Sequence, residues 1–167
     1  MTFTVRLARL GETELLPDIE DSASLAFLES SQPGAAMMAA RPVAFLRPLV
    51  AKGLVWVVVE GGGPVAFACT EPFEDALHLW EISVRHGAQR RGVGRTLMAT
   101  VVADARRRSA PAVTLTTFCA IPWNAPFYAR LGFEMLETAA LPPRLAAIRA
   151  DEDAAGLTDR CAMRLAL

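Results

Sequence analysis

The stretch from residue 54 to residue 84 constrains the fold most. LVWVVVE, VAFACTE and LHLWEISV are three short runs rich in β-branched and aromatic residues, divided by GGGP and by PFEDA. Such residues suit a pleated surface while Gly and Pro interrupt it, so the stretch predicts three consecutive strands in an antiparallel meander. Before it, the alternation of Phe3, Val5 and Leu7 predicts an opening strand over residues 2–10. Residues 18–29 read as a helix with Ile19, Leu25, Ala26 and Leu28 on one face, stopped by SQPGA at 31–35. Residues 41–52 read as a second, short helix, with Pro42 in its first turn and Pro48 limiting its length. After the meander, RRGVGRTLMATVVADARRR carries Leu97, Met98, Val101, Val102 and Ala105 at helical spacing, with arginines in the last turn where the helix dipole favours them. AVTLTTF is a further strand, PWNAPFYARLGF a short helix ending at Gly132, residues 142–155 a helix, and residues 160–167 a final strand.

The chain's 167 residues are 53% hydrophobic and 21% charged, enough apolar material for one core, and no linker or repeat divides them. One domain over residues 1–167 is expected. Net charge is −1, with 17 basic against 18 acidic residues, so no overall field favours nucleic acid or an anionic membrane as a partner. Cys69, Cys119 and Cys161 lack the short spacing of a zinc or thiol-exchange motif, and no metal is expected. The N-terminal residues lack an apolar secretory core, and no run approaches the roughly 20 apolar residues of a membrane span, so a cytoplasmic protein is expected. The Arg- and Ala-rich composition suits a GC-rich bacterial genome.

The chemistry concentrates in EISVRHGAQRRGVGRTLM, residues 81–98. A strand runs through a Gly-containing loop into a long helix, which gathers free backbone N–H groups and the positive end of a helix dipole at one place, a setting that binds phosphate. Gly92 and Gly94 remove side chains from the backbone's approach, and Arg90, Arg91 and Arg95 add charge. Glycines before a helix also occur for purely conformational reasons. The loop is no Walker motif, lacking Gly-Lys-Ser/Thr, and it lacks the third glycine and the βαβ setting of a dinucleotide fingerprint.

Gln89-Arg90-Arg91-Gly92-Val93-Gly94 resembles the Q/R-x-x-G-x-G/A signature of the GNAT N-acetyltransferase superfamily. Upstream, Ile82-Ser83-Val84 resembles that family's splayed strand. Downstream, residues 124–133, Asn-Ala-Pro-Phe-Tyr-Ala-Arg-Leu-Gly-Phe, are similar to its second block. The resemblance implies an α+β, three-layer GNAT acyl-CoA N-acyltransferase fold: a mixed, mostly antiparallel sheet flanked by helices. It implies acetyl-CoA as co-substrate, with its pyrophosphate on residues 89–95, its pantetheine and acetyl group along Ile82, Ser83 and Val84, and Asn124 near the sulfur. Asn124 also suits an N-cap, and both readings can hold. The resemblance makes Tyr128, the only tyrosine, the acid that protonates the departing thiolate; otherwise it is a core aromatic like Phe127 and Phe133.

An acceptor amine is mostly protonated near neutral pH and must lose a proton to attack. Glu81, just before the acetyl-binding stretch, is the candidate base, although an ordinary strand carboxylate also fits. His86 is the nearer alternative, since His78, three residues from Glu81, projects to the opposite face of a regular strand. The acceptor, a small-molecule or peptide amine, is expected among residues 18–50 and the turn at 71–75. There Glu71, Glu74 and Asp75 would attract a cation, whereas Arg41 and Arg47 would suit a carboxylate. Loss of Tyr128 or the glycines would have pointed to a non-catalytic acyl-CoA-binding module, and both are present. The apolar CAMRLAL at the end suggests an edge strand able to pair in a homodimer.

Overall fold

A computed structural model describes residues 3–167; Thr2, the first residue of the expected opening strand, lies outside them. Among the described residues seven strands form one sheet: β1 (Thr4–Leu7), β2 (Val55–Glu60), β3 (Gly63–Pro72), β4 (Leu77–Val84), β5 (Ala112–Phe118), β6 (Glu134–Met135) and β7 (Arg160–Ala166). The helices are α1 (Leu16–Ser24), α2 (Val43–Ala51), α3 (Val93–Arg107), α4 (Ala125–Ala129) and α5 (Pro143–Ala154). The spatial order is β1-β2-β3-β4-β5-β7-β6, and the β4–β5 pair is parallel while the other pairs are antiparallel. The expected meander is β2-β3-β4, and the mixed, mostly antiparallel sheet is the one anticipated.

Helices cover both faces. On one, Leu97, Met98, Val101 and Ala105 of α3 and Tyr128 of α4 pack on Leu77, Leu79, Val113 and Leu115. On the other, Leu16 and Ile19 of α1 and Leu46, Leu49 and Val50 of α2 pack on Val57, Phe67 and Cys69. Burying a strip of this kind contributes roughly 1.5–3 kcal/mol per large aliphatic side chain, which is how helices this short hold their place.

Three expectations change. The helix expected over residues 18–29 is α-helical only to Ser24 and tightens to a 3₁₀ turn over Leu25–Glu29. With the 3.6-residue period lost, Ile19 is buried while Leu25 and Leu28 are exposed. Residues 160–166 are not an edge: β7 lies between β5 and the two-residue β6, whose Met135 pairs with Met163. Finally, β4 is not a regular strand. Cys69 pairs with Glu81 but Thr70 with Leu79, so Trp80 is an extra residue, a β-bulge. The bulge changes the parity of the strand. Leu77 and Leu79, and beyond the bulge Ile82 and Val84, face the α3 layer, whereas Trp80 packs with the α1–α2 layer. His78 and Glu81 therefore share the α1–α2 face, contrary to the opposite faces expected of a regular strand.

Candidate active site

The parallel β4–β5 ladder consists of three pairs, Leu77–Val113, His78–Thr114 and Leu79–Leu115. Beyond Leu79 the strands part, and from Glu81 to Val84 β4 has a sheet partner on the β3 side alone. The result is a cleft between β4 and β5 whose wall carries free strand edge. At this edge the Ile82 N–H donates to Oε1 of Glu81 (3.1 Å), as does the Ser83 hydroxyl (2.9 Å).

At the mouth of the cleft the chain turns into α3. Gly92 caps the helix with φ of 81°, a left-handed conformation costly for a residue with a Cβ, and Arg90 precedes it with φ of 58°. The first bond of the helical ladder runs from the Thr96 N–H to the Gly92 carbonyl (3.0 Å), leaving the N–H groups of Val93, Gly94 and Arg95 ahead of it with no helical acceptor. Gln89 fixes the loop to the strand: its Nε2 donates to the carbonyls of Val84 (3.0 Å) and Ala23 (3.3 Å). Arg90 and Arg95 are exposed. The Arg91 guanidinium is held by both carboxylate oxygens of Glu60 (2.7 and 3.1 Å) and lies over the Phe3 ring.

The other wall holds the second motif. Thr117 donates to Oδ1 of Asn124 (2.7 Å), while the Asn124 side-chain nitrogen is buried without a partner. Asn124 stands at the N-cap of α4, but its side chain makes no capping bond. Tyr128 is buried, with Phe127 and Phe133 at ring distances of 5.2 and 5.8 Å. Burial, and then the charge of Glu81, raises its phenol above the usual range, which keeps it protonated at neutral pH.

Glu81 has a neighbourhood the sequence did not disclose. Nε of Arg41 lies 3.7 Å from its Oε2, and Nη2 of Arg41 donates to the Trp80 carbonyl on the bulge (2.6 Å). The Arg41 backbone N–H donates to Oε2 of Glu20 on α1 (3.0 Å). Burial and the charge of Glu81 push the Glu20 carboxyl up to about 7. His78, by contrast, is buried against Thr114 (2.9 Å), and burial followed by the charges of Arg144 and Arg41 depresses it to about 3, so it is neutral. His86 is exposed on the loop before α3. Arg47 pairs with Glu14, Asp75 with Arg144 (2.8 Å), and Glu71 accepts from the Trp80 indole (2.9 Å), so these expected acceptor charges are engaged within the fold.

The profile of the acetyltransferase (GNAT) domain family matches residues 51–135, just over half of the chain and the segment that builds both walls of the cleft. The chain belongs to the GNAT acetyltransferase family. As a member it is an acyltransferase. Its fold matches the N-acetylglutamate synthase of Neisseria gonorrhoeae, complexed with coenzyme A and N-acetyl-glutamate, at a TM-score of 0.75 and 16% identity over 100% of this chain; the chain spans 35% of that protein. The PaiA N-acetyltransferase of Thermoplasma acidophilum, in complex with coenzyme A, matches at 0.71 with 11% identity over 100% of both chains. The ribosomal-protein-S18-alanine N-acetyltransferase of Escherichia coli matches at 0.69 with 18% identity over 99% of this chain and 94% of that one. The GNAT fold anticipated from the two sequence blocks is therefore the observed one. Among the described residues no helix is long and apolar enough to cross a membrane.

Proposed function

We propose that the chain is an acetyl-CoA-dependent N-acetyltransferase that acetylates a primary amine of a small molecule or peptide by direct attack in a ternary complex. The observation that carries this reading is the cleft between β4 and β5, with an uncovered helix N-terminus at its mouth and Tyr128 and Glu81 at its walls. The chain's groups fit the coenzyme. The N–H groups of Val93, Gly94 and Arg95 suit the pyrophosphate, with Arg90 and Arg95 near it. Arg91 contributes through its backbone, because its guanidinium is committed to Glu60. Ile82, Ser83 and Val84 offer a strand edge to the pantetheine, and the unpartnered side-chain nitrogen of Asn124 offers a donor to an acyl-side oxygen.

In this reading the Ile82 N–H exchanges Oε1 of Glu81 for the thioester carbonyl and polarises it, the freed Glu81 carboxylate takes a proton from the incoming ammonium, and Tyr128 delivers its proton to the departing sulfur. The acceptor enters from the α1–α2 side. The test is a screen of amino acids, polyamines and peptides with acetyl-CoA, read by thiol release and by the mass of the product. Thiol release that depends on one amine class, with the mass gain of one acetyl group in place of one hydrogen on that amine, supports the reading. Coenzyme binding with no amine-dependent thiol release across the panel would favour a non-catalytic acyl-CoA-binding module.

A further inference from the structure

Two carboxylates and one cation meet on the α1 side of the cleft. Glu81 faces it because the bulge at Trp80 reverses the parity of β4, and the same bulge leaves the Trp80 carbonyl for Arg41. Arg41 is clamped there, its guanidinium within cation–π reach of Phe45 (5.3 Å) and Trp80 (5.8 Å). Its backbone N–H binds Glu20 and its side chain lies beside Glu81. One guanidinium cannot neutralise both acids, so a negative charge on Glu20 beside that of Glu81 is costly in this half-buried setting, and the place for a proton is Glu20. The groups facing Glu20 are Asp21 on its own helix, Arg41 before α2 and Glu81 on β4; the Cys69 thiol on β3, raised by burial, also lies within their field. Asp21 and Glu81 disfavour charge on Glu20, and Arg41 favours it. Burial is the largest influence, and the outcome is a carboxyl that titrates in the neutral range.

We propose that Glu20 is a second carboxylate of the acetyl-transfer site, which forms with Glu81 an acid pair bridged by Arg41 and holds the proton removed from the acceptor ammonium. The proposal rests on the N-acetyltransferase reading above. The acceptor R–NH₃⁺ gives one proton to the pair and becomes R–NH₂. Its nitrogen bonds to the acetyl carbonyl carbon, the C–S bond breaks, and the sulfur takes the Tyr128 proton. The second nitrogen proton then restores the phenol through water, and the pair returns its proton to solvent. The sum is amide, free thiol and one proton. Glu81, on β4 beside Ile82, is the group that meets the ammonium, and Glu20 on α1 acts through it as a positioning and proton-holding residue.

The experiment compares wild type, Glu20→Gln and Glu81→Gln by three measurements: melting with and without CoA, ¹³C NMR titration of labelled glutamate carboxyls, and the pH profile of kcat/KM with an amine from the screen. The expected result for Glu20→Gln is an unchanged CoA-induced shift, loss of the carboxyl resonance that titrates in the neutral range, and an acid limb of kcat/KM displaced by one pH unit or more. A pH profile and rate within twofold of wild type would overturn the proposal. If Glu20→Gln does not fold, Glu81→Gln decides, because removing that charge lowers the Glu20 midpoint; an unmoved midpoint overturns the pairing. A wild type that no CoA species stabilises would refute the acetyltransferase reading itself, a result separable from failure of the pair.

Discussion

Removing the Tyr128 hydroxyl isolates the acid step. Tyr128 is 6% exposed and its ring is held between Phe127 and Phe133, so Tyr128→Phe keeps the aromatic contacts and deletes one buried oxygen. The stability change is expected to stay within about 1 kcal/mol, the scale of one hydrogen bond. For a chain of this size that is a melting shift of about 2–4 °C. The catalytic effect is larger. A positioned general acid contributes roughly 10²–10⁴-fold, about 3–5 kcal/mol of barrier at 1.36 kcal/mol per tenfold. The phenol is raised by burial and by Glu81, so it enters the reaction protonated, and the loss should fall on kcat while the KM for acetyl-CoA is retained. Thiol release under saturating amine, with CoA affinity measured by calorimetry, separates the two. Turnover within twofold of wild type in a folded variant would refute the assignment of Tyr128 as the acid.

Arg91→Ala should weaken CoA binding less than Arg90→Ala or Arg95→Ala, because Glu60 already holds the Arg91 guanidinium; calorimetric titration of the three variants checks the order. His78 is depressed to about 3 by burial, so its neutral form stabilises the fold above the unfolded pKa near 6.5. That contribution is lost at about 1.4 kcal/mol per pH unit as pH falls from about 6.5 towards 3. Glu20, raised to about 7, works in the opposite sense: its neutral form stabilises at low pH, and the benefit is lost as pH rises through 7. Urea unfolding of His78→Phe should therefore show a shallower acid-side decline than wild type, and an identical slope would contradict the neutral assignment of His78.

Much of the fold was legible because its strands carry strong local signals. The β-branched and aromatic runs of β2, β3, β4 and β5 are bounded by Gly, Pro and Asp clusters, and observed boundaries follow them closely. The helix α3 declared itself through Leu97, Met98, Val101 and Ala105. The features that escaped depend on tertiary placement. Nothing in HLWEI marks Trp80 as a bulge, since its neighbours suit a strand equally well; the extra residue is visible only in the pairing of Cys69 and Thr70. Glu20 shares a helix with Asp18 and Asp21, and only the docking of α1 beside β4 distinguishes it. Arg41 read as a charge for an acceptor carboxylate because its partners, Glu20, Glu81 and the Trp80 carbonyl, lie 21 to 40 positions away in the chain. The two-residue β6 is too short for periodicity to detect.

Thermal shift with acetyl-CoA, CoA, ATP and NAD, for wild type and Gly92→Glu, reads out the coenzyme site on the loop before α3. A Cβ at Gly92 meets nothing within 4 Å, so the variant should fold at a conformational cost of about 1–2 kcal/mol for its positive φ, while a carboxylate enters the proposed pyrophosphate site. The predicted result is stabilisation of wild type by the two CoA species, none by ATP or NAD, and loss of that stabilisation in folded Gly92→Glu. No shift with either CoA species at millimolar concentration, or an undiminished shift in Gly92→Glu, would rule out a coenzyme site on this loop.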